Sequence, residues 1–279
     1  HQAPEFLSLA SVTKYGVLVE AIAEKLGNPI IRDITEKTLC KLGMEWLESG
    51  IKIGSVAVYI GALRSVLAFG KQKGYISKIP HWVRPPSRNL LTKERPLLTQ
   101  NEIESLCSKA VMFLEHGKSL RDYILLMAYS GLRCDEALNV RWENISFDGM
   151  RLTAVVTKGG AIRYVDINPK LLAHLKELHA KRNPDSPWVF PANTDPSKPA
   201  THFRLTFDAA RRLANMPHWN GFHLLRHYFI SNCVMAGIDT HTIARWVGHR
   251  DGGLLIGTVY GHLSNEHRVQ QAGRLAGVL

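Results

Sequence analysis

The chain has few of the residues that build disulfide or metal scaffolds. Its four cysteines stand far apart, at Cys40, Cys107, Cys134 and Cys233, and none forms a C-x-x-C pair. That spacing excludes a disulfide framework and a zinc site, and predicts reduced, mostly buried thiols in a cytoplasmic protein. Thirteen histidines are present, yet none falls in an H-E-x-x-H motif or a Cys/His cluster with ligand spacing, so no metal and no cofactor are expected. No apolar run reads as long enough to span a bilayer and no signal peptide is visible, so no membrane partner is expected. Acidic residues are the scarcer charge, 24 against 35 Lys and Arg, a net of +11. An excess of that size fits a polyanionic partner, with nucleic acid first, and equally a soluble protein that is simply basic. An apolar share of 45% and a charged share of 21% fit a globular chain, and 279 residues suffice for two domains with a sizeable core. The first residues, His1-Gln2, carry no initiator methionine, which leaves room for a further N-terminal domain.

Periodicity and punctuation divide the chain. Residues 1–78 read as a helical unit. A helix over Lys14 to Leu26 stops at Gly27-Asn28-Pro29, a second opens at Asp33-Ile34-Thr35, and a third carries Val56, Ile60, Leu63 and Leu67 on one face. Arg64, Lys71 and Lys73 lie toward its other side, where a solvated face and phosphate contacts both fit. Residues 79–96 read as a basic linker, with Pro80, Pro85, Pro86 and Pro96 among Arg84, Arg88, Lys93 and Arg95. Residues 97–279 form a second unit that opens on the capping-box pattern Thr99 to Glu102. A helix ends at Gly131, and Arg133 starts the next. Two β-rich runs, Arg151–Thr157 and Ile162–Ile167, flank Lys158-Gly159-Gly160-Ala161 and predict a hairpin. Helices are then predicted from Asn168-Pro169 to Lys181, from Thr201 to Asn215, from about His223, from Ile238-Asp239-Thr240 to Trp246, and from Ser264 to Leu275. The fold class is mainly α with a small β-sheet (α+β).

The chemistry gathers between Gly221 and Leu263. His223 and Arg226 stand three apart on one helix face, so imidazole and guanidinium project the same way. A Gly248-His249 step and a lone Tyr260 follow. An arginine fork matches two phosphate oxygens and stays charged at any working pH, and a tyrosine hydroxyl is a competent nucleophile once its proton is removed or its oxyanion is stabilised.

In sequence these elements are Gly131-Leu132-Arg133-Cys134-Asp135-Glu136, Thr157-Lys158-Gly159-Gly160, H-x-L-R at His223 to Arg226, Gly248-His249, and T-x-Y-x-H at Thr258 to His262. Their order resembles the tyrosine recombinase (phage integrase) family, most strongly from Thr99 onward. The resemblance implies an N-terminal helical core-binding domain that clamps DNA and a C-terminal catalytic domain. It implies a site-specific recombinase or integrase that cuts and rejoins double-stranded DNA through a 3′-phosphotyrosine and a Holliday junction, without metal or ATP. It assigns catalysis to Arg133, Lys158, His223, Arg226, His249 and Tyr260. Tyr260 is the nucleophile, Arg133 and Arg226 hold the non-bridging oxygens, and Lys158 is the general acid. His223 supports proton transfer near the tyrosine, His249 binds a non-bridging oxygen, and Glu136 orients Arg133 or His223. The implied partners are DNA, a homo-tetramer on two DNA sites linked by an exchanged C-terminal helix, and accessory DNA-bending proteins.

Each of these residues alone has a plainer reading. Arg133 fits a salt bridge with Asp135 or Glu136, Lys158 a solvated turn, His223 a structural histidine and Tyr260 a packing aromatic. His227, Tyr228 and His262 are read as structural. The interval from His249 to Tyr260 contains Gly252-Gly253, read as a flexible pair that lets the tyrosine segment move. Two other functions remain open on these residues: a type IB topoisomerase-like relaxing enzyme, and a DNA-binding module without catalysis.

Overall fold

Glycine and side-chain caps end the N-terminal helices near the predicted places. The computed structural model describes residues 9–82, 97–155, 162–249 and 251–260. The chain divides into two compact units, His1–Leu91 and Thr92–Leu279. In the first, α1 (Leu9–Lys25) is followed by Gly27 and Asn28 in left-handed conformations, at φ 73° and 51°. Thr35 caps α2 (Glu36–Glu48), its hydroxyl accepting from the Thr38 amide at 3.3 Å. The third helix, α3 (Ile53–Gln72), buries Val56, Ile60, Leu63 and Leu67 with Leu39, Leu42 and Trp46 in one core. Truncating any of these to alanine removes both transfer energy and packing, about 2–5 kcal/mol each.

Two expectations change here. By length and composition α3 could cross a bilayer, against the expectation that no run is long enough. Arg64 interrupts its apolar residues, and the apolar stripe packs within the unit's own core. Ile79 and Trp82, placed in the predicted linker 79–96, also pack on that core, and residues 83–96 lie outside the described residues.

The second unit is built around α5 (Leu114–Ser130). It follows α4 (Gln100–Ala110), which opens on the predicted capping box, with the Thr99 amide donating to Glu102 at 2.7 Å. Leu120, Ile124, Leu126 and Met127 are fully buried on α5, and the Tyr123 ring meets Phe190, Phe203 and Phe222. Gly131 caps α5 in the left-handed region, and the short α6 (Cys134–Leu138) turns away from it.

The sheet has three antiparallel strands in order, β1 (Ile145–Ser146), β2 (Arg151–Val155) and β3 (Ile162–Asp166). The two predicted runs form β2 and β3, and β1 is an unpredicted addition, too short to carry a period of its own. Register pairs Leu152 with Val165 and Ala154 with Arg163, so Arg163 takes a core-facing position. The hairpin turn, with Lys158, lies outside the described residues.

Asn168 caps α7 (Pro169–Ala180) as predicted, accepting from the Leu171 amide at 3.0 Å. The next helix, α8 (Arg204–Leu213), is shorter than the predicted Thr201–Asn215, because Phe203 precedes it with no side-chain cap and Asn215 turns left-handed at φ 52°. Three helices complete the description: α9 (His223–Met235), α10 (Thr240–Val247) and α11 (Leu254–Tyr260). Their shared cluster joins Phe229, Ile230, Cys233, Ile243, Val247, Ile256 and Tyr260. The predicted helix Ser264–Leu275 lies outside the described residues. Cys107 and Cys233 are buried free thiols, and burial pushes both up to about 12, which keeps them protonated and unreactive.

Candidate active site

Helix ends place the cationic residues. The last carbonyls of a helix have no intrahelical partner and carry the negative end of its dipole. Three successive carbonyls at the end of α10 are taken by three different arginines. Arg163 Nε donates to the Trp246 carbonyl at 2.7 Å, Arg226 Nη2 to that of Val247, and Arg133 Nη2 to that of Gly248 at 3.1 Å. Arg226 also donates from Nη1 to the Gly131 carbonyl at the end of α5, at 2.8 Å. The α10 terminus is therefore the template on which the guanidiniums converge.

Glu136 ties this frame together. Its carboxylate accepts from the Arg133 amide at 2.7 Å and from Arg133 Nη1 at 3.0 Å. It also accepts a two-pronged bond from Arg163 Nη1 and Nη2, at 2.5 and 2.7 Å. Burial alone would raise this carboxyl, but the Arg163 hydrogen bonds and charge, followed by the Arg133 bonds, outweigh it and hold Glu136 below the usual range. The expected service of Glu136 to Arg133 is present. Its grip on Arg163 was not foreseen.

The two arginines expected to bind phosphate differ in exposure. Arg226 is 2% exposed, whereas the Arg133 side chain is 41% exposed. Burial first, then the neighbouring Arg133 and Arg163 cations, push the Arg226 guanidinium down to about 9, against the opposing charges of Glu136 and Tyr260. It stays cationic at neutral pH, in a cluster that an anion would relieve.

Two glycines are required by this packing. Gly131 stands at φ 66°, and a Cβ there would meet the Phe229 ring at 2.4 Å. Gly248 stands at φ 70°, and a Cβ would meet Arg163 Cδ at 2.9 Å. A side chain at either position would be strained twice over.

The histidines and the tyrosine occupy the other side of the site. His223 begins α9 and is exposed, its ring edge-on to His227 with centroids 4.8 Å apart. His249 follows the Gly248 cap. Burial first, then the Arg226 cation, lower its pKa, with Arg133 and Arg163 adding and Asp251 opposing. Among the described residues its buried Nδ1 finds no hydrogen-bond partner. Tyr260 ends α11 and is 5% exposed, and its hydroxyl meets His227 Nδ1.

The structure thus brings Arg133, His223, Arg226, His249 and Tyr260 into one neighbourhood, linked through Gly248, Val247 and His227. Lys158 and His262 lie outside the described residues. Tyr228 keeps its structural reading, since its hydroxyl donates to Gln100 at 2.6 Å. His227, also read as structural, touches the Tyr260 hydroxyl. Its place four residues after His223, on the same helical face, was the available signal. Arg163 was missed because strand alternation alone leaves two choices of inward face, Arg163 with Val165 or Ile162 with Tyr164. The two glycines of the expected flexible pair are packed unequally. Gly253 stands at φ 101° and a Cβ would meet the Thr240 carbonyl at 2.6 Å, while Asp251 caps the turn by accepting from the Gly253 and Leu255 amides at 3.1 and 3.0 Å. Gly253 makes a close approach to α10, whereas a Cβ on Gly252 would meet nothing within 4 Å.

Comparisons with known proteins converge on one family. The model of the phage integrase family matches residues 96–267. A tyrosine recombinase XerA of Pyrococcus furiosus is 27% identical over 246 residues, covering 86% of this chain and 79% of its own. A tyrosine recombinase XerC of Erythrobacter litoralis is 28% identical over 220 residues, covering 76% and 70%. Among solved structures, the Tn1549 transposon integrase in complex with circular intermediate DNA superposes with a TM-score of 0.72 at 16% identity, covering 92% of this chain and 91% of that one. A lambda integrase dimer bound to a COC′ core site gives 0.68 at 17% identity, covering 88% and 90%. At these identities the structural likeness carries the fold, mainly α with a small sheet.

Proposed function

This chain belongs to the phage integrase family and is a tyrosine-type site-specific DNA recombinase, and on that premise we propose that it exchanges DNA strands through a covalent 3′-phosphotyrosine at Tyr260 and a Holliday junction. The observation that carries this reading is the set of guanidiniums on the α10 terminus, with the Tyr260 hydroxyl in contact with His227, the residue after Arg226 on α9. Tyr260 oxygen attacks a phosphodiester and the 5′ oxygen leaves. Arg133 and Arg226 hold the two non-bridging oxygens and stabilise the charge that builds on phosphorus, where preorganised donors have their largest effect. Arg133 meets the phosphate first because it is the more exposed, and Arg226 supplies a buried charge that water screens little. His249 donates a hydrogen bond to a non-bridging oxygen, and Lys158 protonates the leaving oxygen. Glu136 and Arg163 hold the frame.

Guanidiniums supply the cationic stabilisation here, and the phosphotyrosine conserves the broken bond's energy, so the chemistry asks for neither metal nor ATP. A 5′-hydroxyl from a second duplex then attacks the phosphotyrosine and reseals the strand. In this reading the helical unit 1–78, the basic stretch 79–96 and the catalytic unit 97–279 each contact double-stranded DNA. Four protomers bring two DNA sites together through exchanged C-terminal helices, with accessory proteins bending the DNA. Binding weakens steeply with salt, because the basic surface displaces counterions.

The test starts from duplexes selected out of a randomised pool by retention on the protein. Two copies of a selected site are placed in one plasmid, and the protein is added with a chelator and without nucleotide. Resealed recombinant circles are expected. Linear ends left open would indicate a nuclease, and relaxation on plasmids lacking the site would indicate a topoisomerase.

A further inference from the structure

The tyrosine hydroxyl and the buried machinery meet at a histidine that the mechanism above leaves idle. His227 Nδ1 lies in hydrogen-bonding contact with the Tyr260 hydroxyl, and the two rings are 5.8 Å apart between centroids. His227 directly follows Arg226 on α9, so the same turn of helix that places a phosphate-binding cation also places this imidazole. The helix spacing brings His223 to its side, edge-on at 4.8 Å. His223 itself is exposed at the first position of α9, whereas His227 is half-buried beneath it. A proton acceptor must first lie within reach of the proton it takes, and here His227 does.

We infer that His227, through Nδ1, is the group that takes the Tyr260 proton during strand cleavage. The inference rests on the reading of Tyr260 as nucleophile. For Nδ1 to accept, the imidazole carries its hydrogen on Nε2, on the side away from the phenol. In the step, the phenol O–H bond breaks and its proton passes to Nδ1. The freed oxygen pair forms the bond to phosphorus, and the bond from phosphorus to the 5′ oxygen breaks as that oxygen takes a proton from Lys158. On resealing the steps reverse: an incoming 5′-hydroxyl displaces the tyrosine oxygen, and His227 returns the proton. Arg226 assists, because a cation near the phenol favours its ionised form. His223, packed on the His227 ring, fixes its orientation.

His227→Asn tests this directly. Asparagine places an amide near the position of Nδ1, so it retains a hydrogen-bonding group at the hydroxyl but cannot take a proton. On a nicked duplex from the selected pool, adduct formation should slow about 10²–10⁴-fold, the usual contribution of a positioned base, while retention of the duplex is unchanged. The second arm replaces Tyr260 with 3-fluorotyrosine, a more acidic phenol that depends less on a base. The deficit of His227→Asn should shrink by about tenfold on that background, a response that a purely structural defect would not show. His223→Gln, measured in parallel, should show no such rescue. Cleavage by His227→Asn at the parent rate would overturn the inference, as would a deficit that the fluorinated tyrosine leaves intact. Rescue seen with His223→Gln alone would move the role to His223. If the parent forms its adduct at a residue other than Tyr260, both the nucleophile reading and this inference fall.

Discussion

The arginine side and the tyrosine side of the site are held in different ways. On the arginine side, every group is fixed at least twice: Arg133 by Glu136 and Gly248, Arg163 by Glu136 and Trp246, and Arg226 by Gly131 and Val247. On the tyrosine side, a helix of seven residues hangs from a glycine turn, with Ile256 and Tyr260 as its buried residues. The first arrangement suits groups that must await a phosphate without rearranging. The second suits a nucleophile whose oxygen bonds phosphorus while its proton stays within reach of His227, and which recovers that proton on resealing. Rigidity and reach are divided between two helix ends, the C-terminus of α10 and the last residue of α11.

The largest effect should come from weakening the rigid side while keeping its charge. Arg226→Lys preserves the cation but cannot span the carbonyls of Gly131 and Val247 and face a phosphate as well. The rate of adduct formation should fall about 10²–10³-fold with duplex retention little changed. A loss below tenfold would mean that charge, without the fork, is what Arg226 supplies. Arg163→Gln comes next, since it leaves buried Glu136 with Arg133 as its remaining ion-pair partner. Denaturant unfolding of the second unit should show a loss of about 3 kcal/mol, in the range for breaking a buried pair. Stability equal to the parent would remove Arg163 from the frame.

Much of this comparison was legible in the sequence, and the parts that were not share a cause. Thr35, Thr99, Asn168 and Gly131 marked helix ends because capping is a local interaction between residues a few positions apart. Arg133, Arg226, His249 and Tyr260 were found as motifs. The three arginines on successive carbonyls could not be read, because Arg163 and Trp246 are 83 positions apart and nothing local links them. Strand alternation offered two faces for β3, and the choice was made by packing, which buries Val165 in the core and brings Arg163 Nε to the Trp246 carbonyl of α10. His227 was passed over because a histidine beside a motif is most often structural. Only the arrival of Tyr260 from another helix brings a phenol hydroxyl to its ring. Gly252-Gly253 reads as loose for the opposite reason: glycine in sequence signals freedom, while at Gly253 it permits a close approach to Thr240.

Smaller changes sharpen the contrast on the tyrosine side. Gly253→Ala adds a Cβ against the Thr240 carbonyl at a left-handed φ, a strain of about 1–3 kcal/mol. Because α11 is short and terminal to its cluster, the global unfolding midpoint should move little while cleavage slows. A fall in both together would place α11 within the rigid side. The smallest effect concerns pH. His249 has a lowered pKa in the fold, so the unfolded chain binds that proton more readily, and stability should decline as pH drops through the ordinary histidine range. His249→Gln should flatten the decline between pH 7 and pH 5 in melting curves. An unchanged slope would assign the dependence elsewhere.

The central claim, that Tyr260 forms the covalent bond to DNA, is tested most directly by locating that bond. The protein is trapped on the nicked selected duplex, digested, and the DNA-linked peptide is sequenced by mass spectrometry. The account predicts a phosphodiester on the Tyr260 side chain, and no adduct with Tyr260→Phe although the duplex is still retained. A bond at any other residue, or retention of the duplex with no adduct in the parent, would contradict it.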